Sequence, residues 1–106
     1  MIVDFSPRIH TKPGKVRPAV VVQSDLVTQA GYPSTLVVPT TSKIVEEAGF
    51  MRLRISKGTC GLEKESDLLI GQLIAVANLS FKKDLGPLPE ELFIELLSRL
   101  RILLAL

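Results

Sequence analysis

The sequence predicts a small, mainly β protein: a compact barrel or curved sheet capped by one C-terminal helix. Three observations predict it. Short β-branched and alternating runs recur along the chain as far as Val76. From Pro89 onward the leucines fall at helical spacing. No regular alternation of strand and helix supports a parallel, doubly wound sheet. At 106 residues the chain fits one domain, 1–106, and 46% hydrophobic residues are enough for a real core.

The elements follow in order. Ile2–Phe5 is a short strand, and Ser6 to Lys15, with Pro7, Pro13 and Gly14, is a loop. Arg17 to Ser24 (RPAVVVQS) is almost continuously apolar and reads as a strand buried on both faces. Gly31, Tyr32, Pro33 and Ser34 form a turn. Thr35 to Thr40 (TLVVPT) is a second buried strand, and Pro39 places it at an edge or near its end. After a polar connection from Lys43 to Gly49, Met51 to Ser56 alternates cleanly. Met51, Leu53 and Ile55 point one way and Arg52, Arg54 and Ser56 the other. Thr59 to Asp67 is a loop or tight turn. Leu68 to Val76 (LLIGQLIAV) fits a last long strand and also a helix, with Gly71 marking a bulge or a close backbone approach. The final helix starts at Pro89, with Glu90 and Glu91 suited to its positive end. Leu92, Phe93, Leu96, Leu97, Leu100, Leu103 and Leu104 make one broad face. Ile94 and Ile102 lie off that face, so a second subunit is expected to cover part of the helix in a homodimer.

Composition removes several function classes. There is no phosphate-cradling GxxxxGK[ST] and no GxGxxG. His10 is the only histidine and Cys60 the only cysteine, so a zinc site of several such ligands and an internal disulfide are both excluded. A Ser-His-Asp triad could use only His10, which has no nucleophile-elbow neighbourhood. Aromatics at 5%, without tryptophan, argue against a base-stacking platform. No apolar run reaches the roughly 18 residues that span a bilayer, and the first residues do not follow a signal-peptide pattern. A cytoplasmic protein without membrane contact is the expectation. The net charge of +2 is small but uneven. Residues 1–60 hold eight basic and four acidic side chains, whereas 61–106 hold five and seven. A basic N-terminal half suits phosphates, although solvated loops would look the same. Any phosphate chemistry must rest on arginine, hydroxyls and backbone amides.

Three blocks carry a resemblance. DFSP followed by VRPAVVVQSD (Asp4 to Asp25), VVPTTS (Val37 to Ser42) and GLEKESDLLIGQLIAV (Gly61 to Val76) stand in the order and spacing of the MazF/PemK toxins, and the helix after LGPLPEE is similar to that family's ending. The resemblance covers nearly the whole chain. It implies a Src-homology-3-like barrel of the CcdB/MazF kind with a C-terminal helix. It also implies a homodimer, and a toxin that cuts single-stranded RNA without a metal or cofactor, leaving a 2′,3′-cyclic phosphate and a 5′-hydroxyl. The partner it implies is an antitoxin whose disordered segment folds across the RNA groove.

The residues support roles within that chemistry. RNA self-cleavage needs a base for the 2′-hydroxyl, donors for the crowded phosphorane and an acid for the leaving 5′-oxygen. Arg17, where loop meets strand, has a fork that matches two phosphate oxygens; the competing reading is a salt bridge to a loop carboxylate. Thr41 and Ser42 offer hydroxyls to the same phosphate, or serve a turn. His10 is a candidate acid or base, since an unperturbed imidazole titrates near about 6.5, and equally an ordinary loop histidine. Lys12, Lys15, Thr40, Arg52, Arg54 and Gln72 are candidates for holding the substrate; Arg52 and Arg54 also read as a solvated face. The chain departs from the family at Lys12, where glutamate is frequent, and at Gly71, Ile74 and Ala77, where the acidic, arginine and aspartate residues of the DQ-I-R-x-I-D run should stand. Those departures leave a second possibility: a catalytically degenerate relative that binds RNA or antitoxin, or poisons gyrase as CcdB does.

Overall fold

The computed structural model describes residues 2–4, 16–46 and 49–106. Among them, seven strands form one antiparallel, barrel-like sheet: β1 (Ile2–Asp4), β2 (Val16–Val21), β3 (Ser34–Thr41), β4 (Arg52–Ile55), β5 (Ser66–Leu69), β6 (Ile74–Ala77) and β7 (Phe81–Lys83). A short helix α1 (Asp25–Gln29) follows β2, and the long helix α2 (Glu90–Leu103) closes the chain. The strand order is β4-β5-β3-β2-β1-β7, with β6 also paired to β3. The mainly β architecture with a C-terminal helix is the expected one. The expected loop from Ser6 to Lys15 lies outside the described residues.

Strand β3 organises the molecule. From one of its faces Val38 joins the main core, where it packs with Leu53, Ile55, Leu68 and Ile70 under Leu96 and Leu100 of α2. Burying each such side chain is worth about 1.5–3 kcal/mol. The opposite face holds a smaller cluster of Ala19, Val37 and Val76, with Val21 and Phe81 against it. Period-two alternation allows one strand to serve both.

Four expectations need correction. First, of the two placements expected for Pro39 the edge is the one that fails: β2 and the β5–β6 segment flank β3, and Pro39 lies near its end, two residues before Thr41. The ladder tolerates it for a local reason. The Val22 amide donates to the Leu36 carbonyl at 3.0 Å, so the bonds of β3 to β2 fall on its even residues. The Pro39 nitrogen therefore faces β5 and β6, where the ladder is already broken. Second, Leu68 to Val76 is not one strand. Thr40 pairs with Leu68 but Val37 pairs with Ile74. Three steps on β3 thus face six on its partner, and the extra residues form a 3-10 turn at Ile70–Gln72. Gly71 lies in this turn without a left-handed φ, and a Cβ there would crowd the flexible Met51 methyl at 3.2 Å.

Third, Asp67 belongs to β5 and not to a loop; the turn before it is the shorter 3-10 segment Thr59–Gly61. Gly61 is held there at φ +79°, and a Cβ would come within 2.9 Å of the Leu85 carbonyl oxygen. Fourth, β2 stops at Val21 and Ser34 already belongs to β3. The sequence between them holds α1, whose start is capped by the Ser24 hydroxyl accepting the Leu26 amide at 3.2 Å. On α2, Leu96 and Leu100 are buried and Leu92 and Phe93 half-buried, but Leu97, Leu103 and Leu104 are exposed, so the apolar face is narrower than its spacing suggests.

Candidate functional site

The polar candidates gather at the C-terminal end of β3. Asp67 pairs with Thr41 on one side and with Arg54 on the other. Continuing the β2–β3 register from Ala19↔Pro39 by two residues brings Arg17 beside Thr41. Directly opposed residues share a face, with Cβ atoms about 5 Å apart. Arg17, Thr41, Asp67 and Arg54 therefore form one row across four strands. By alternation, the row lies on the face opposite the core that α2 covers.

Arg17, at the start of β2, donates from Nη1 to the Thr40 carbonyl at 3.3 Å. Its guanidinium thus stands one residue from the Thr41 hydroxyl. The Thr40 side chain is buried and donates to the Pro18 carbonyl at 2.8 Å, so it ties β3 to β2 and is spent on structure. Thr41 Oγ1 accepts the Lys43 amide at 3.1 Å, which folds Thr41–Lys43 into a turn. Among the described residues, that contact leaves the Thr41 hydroxyl hydrogen available for donation. Ser42 is exposed at the tip of the turn.

Arg52 and Arg54 are neither wholly solvated nor fully available. Asp67 is only 1% exposed and lies between them. Its carboxylate accepts from Arg54 Nε at 2.6 Å and from Arg52 Nη1 at 3.4 Å. Arg52 Nη1 also reaches the Lys43 carbonyl at 3.0 Å. A weaker contact of 3.7 Å joins Arg54 to exposed Glu65. The hydrogen bond with Asp67 raises the Arg54 pKa above its ordinary value, so the guanidinium stays charged. Arg99 of α2 holds the other side of β4, donating to the carbonyls of Arg52 at 2.7 Å and Phe50 at 3.2 Å.

Gln72 stands apart, exposed in the turn between β5 and β6. Ile74 and Ala77 on β6 are exposed but supply no ionisable group. His10, Lys12 and Lys15 lie outside the described residues, and so does any contact they make. Sequence reasoning missed Asp67 and Arg99. The alternation of β4 points to two arginines on one face, but their partner lies on another strand, outside any alternating run of the sequence.

Among the described residues a groove of about 850 Å³ lies elsewhere. It is mostly apolar, runs between β2, the Asp84–Leu88 segment and α2, and meets the polar row only through Pro18 and Thr40. Cys60 lines it, and burial pushes its thiol pKa up. The polar row, not this groove, brings together the groups able to stabilise a phosphate. No group of metal-ligating side chains occurs among the described residues, and no described helix is long and apolar enough to cross a membrane.

Comparison with known proteins agrees with this architecture. The chain is similar in fold to the Mycobacterium tuberculosis toxin MazF-mt6, with a TM-score of 0.76 at 14% identity, over 99% of this chain and 96% of that one. It is also similar to MazE–MazF from Deinococcus radiodurans, with a TM-score of 0.77 at 18% identity, over 99% and 90%. A third similar structure, of an endoribonuclease in complex with its cognate antitoxin from Mycobacterial species, has a TM-score of 0.76 at 8% identity, over 99% and 91%. No curated protein matches the chain. The sequence pattern of the PemK-like, MazF-like toxins of type II toxin–antitoxin systems matches residues 1–104. The chain belongs to that toxin family.

Proposed function

We propose that this toxin is an endoribonuclease that cuts single-stranded RNA by transphosphorylation, without a metal ion. The 2′-oxygen attacks the adjacent phosphorus as its proton leaves. The bond from phosphorus to the 5′-oxygen then breaks, giving a 2′,3′-cyclic phosphate and a 5′-hydroxyl. Arg17 steadies the charge on the non-bridging oxygens, with Thr41 and Ser42 donating beside it. His10 is the candidate for moving the proton, and Lys12, Lys15, Arg52, Arg54 and Gln72 for holding flanking nucleotides.

One observation carries the reading: the Arg17 guanidinium donates to the Thr40 carbonyl at 3.3 Å, in the residue immediately before Thr41 and Ser42. The test is incubation of purified protein with a long RNA in excess chelator, followed by mapping of the ends. Chelator-resistant fragments ending in cyclic phosphate are expected; intact RNA, or cleavage that stops with chelator, overturns the reading.

A similar structure is an endoribonuclease in complex with its cognate antitoxin, and a cognate antitoxin is proposed here as well. A homodimer is proposed because Ile94, Ile102, Leu103, Leu104 and Leu106 of the C-terminal segment are exposed. Sedimentation that finds only monomer at micromolar concentration would rule it out. A second reading, a binder with little or no catalysis, is favoured by Gly71, Ile74 and Ala77, which offer no charge where relatives have it. That reading expects RNA retention without cleavage.

A further inference from the structure

We propose that Asp67 is a positioning residue for the RNA-cleaving site, setting the Thr41–Lys43 turn through Arg52 and aiming Arg54 along the same face. This deepens the endoribonuclease reading and rests on it.

The argument starts from an imbalance. A carboxylate that is 1% exposed needs charged partners to offset its lost hydration. Asp67 has them in Arg54 Nε at 2.6 Å and Arg52 Nη1 at 3.4 Å. Both guanidiniums reach solvent, with side-chain exposures of 26% and 37%. One buried anion therefore holds two half-exposed cations, and the trio presents positive charge on the face of Arg17.

The second step is geometric. Arg52 Nη1 is shared between Asp67 and the Lys43 carbonyl at 3.0 Å, while Arg99 fixes the Arg52 backbone at 2.7 Å. The segment bearing both hydroxyls is thus clamped at each end. Arg17 grips Thr40, and Arg52, steered by Asp67, grips Lys43. Without the carboxylate, Arg52 has no charged partner among the described residues to oppose rotation into solvent, and the turn loses its outer clamp. A hydroxyl displaced by even an ångström loses much of its effect on a transition state.

Charge and position then have opposite consequences for the near-isosteric Asp67→Asn variant. Removing an anion beside two arginines should tighten binding of a polyanion. Loosening the turn should slow cleavage. We expect kcat to fall about tenfold or more, while KM falls and binding strengthens several-fold. The salt dependence of binding should steepen by up to about 0.7 in the log–log slope. A purely structural role would reduce both functions in step with the folded fraction, which circular dichroism measures.

Binding is read with a single-stranded oligonucleotide carrying 2′-deoxy substitutions, which cannot be cleaved. If wild-type protein binds it but cuts no RNA, the nuclease reading fails, and the binding arm still decides the role of Asp67 in aiming the arginines. If Asp67→Asn folds, cuts at the wild-type rate and binds with unchanged affinity and salt slope, the proposal fails and the nuclease reading survives. Absence of binding by both proteins overturns both. Should Asp67→Asn not fold, Arg52→Gln decides: a comparable loss of kcat with weaker binding supports the clamp, and an unchanged kcat at saturating RNA removes it.

Discussion

The two ends of β3 are both held by side-chain hydrogen bonds, but with opposite chemistry. At its N-terminal end the groups are neutral. The Gln23 side chain accepts the Leu36 amide at 3.2 Å and donates to the Ser34 carbonyl at 3.3 Å. Thr35, buried, donates to Asn78 at 2.7 Å, and Asn78 donates to the Tyr32 carbonyl at 2.8 Å. At the C-terminal end the groups are charged: Arg17 on Thr40, Arg52 on Lys43, and Asp67 between Arg52 and Arg54. Amides can bridge a strand end as well as guanidiniums can, so satisfying the backbone does not require charge. What charge adds is an electrostatic reach that neutral bonds lack. The proposed function uses only the charged end, so the two ends can be tested against each other.

The largest expected effect that tests this contrast is at Arg17. Arg17→Ala should slow RNA cleavage by about 10²–10³, the cost of one preorganised donor, or roughly 3–4 kcal/mol. A folded variant that cuts as fast as wild type removes the charged end from the chemistry. Next is the neutral end. Asn78→Ala leaves the Thr35 hydroxyl without its acceptor and should destabilise the protein by about 1–3 kcal/mol. Its cleavage rate per folded molecule should not change, and a specific kinetic loss there would erase the distinction between the ends.

Smaller effects sharpen the charged end itself. Thr41→Val and Ser42→Ala each remove one neutral donor, worth about 0.5–1.5 kcal/mol. Single-turnover cleavage should therefore fall by up to roughly tenfold, and equal rates in both variants and wild type would leave Arg17 acting without the hydroxyls. The smallest effect concerns Cys60, which belongs to neither end. Its pKa is raised by burial, so at a given alkaline pH the folded chain holds less thiolate than the unfolded chain. Iodoacetamide at mildly alkaline pH should label native protein more slowly than protein in urea. Equal labelling would show that the groove wall does not shield the thiol.

The fold was legible wherever a local pattern had one outcome. The alternation of Met51 to Ser56 put Leu53 and Ile55 inside and both arginines on the other face, as found. Pro89 with Glu90 and Glu91 marked the start of α2, with Pro89 as its cap. The apolar run after Arg17 became β2, and the hydroxyls after Pro39 end β3. Patterns with two outcomes were less legible. A proline in an apolar run signals an edge unless the neighbouring strand breaks at the same place, and that depends on residues about thirty positions away. Asp67 followed glycine, lysine and glutamates, and only the start of β5 at Ser66 takes it out of the loop.

The sequence by itself determined which side chains face which way within each segment, because period-two and helical spacing are properties of the local backbone. It also determined the chemical inventory: one histidine, one cysteine, and the arginines and hydroxyls on which any phosphate chemistry must rest. Only the tertiary structure decided who meets whom. Strand register joins residues far apart in the chain, and it is set by the packing of two cores against β3. That packing put a buried carboxylate between two arginines and brought Arg17 to the end of a strand more than twenty residues away.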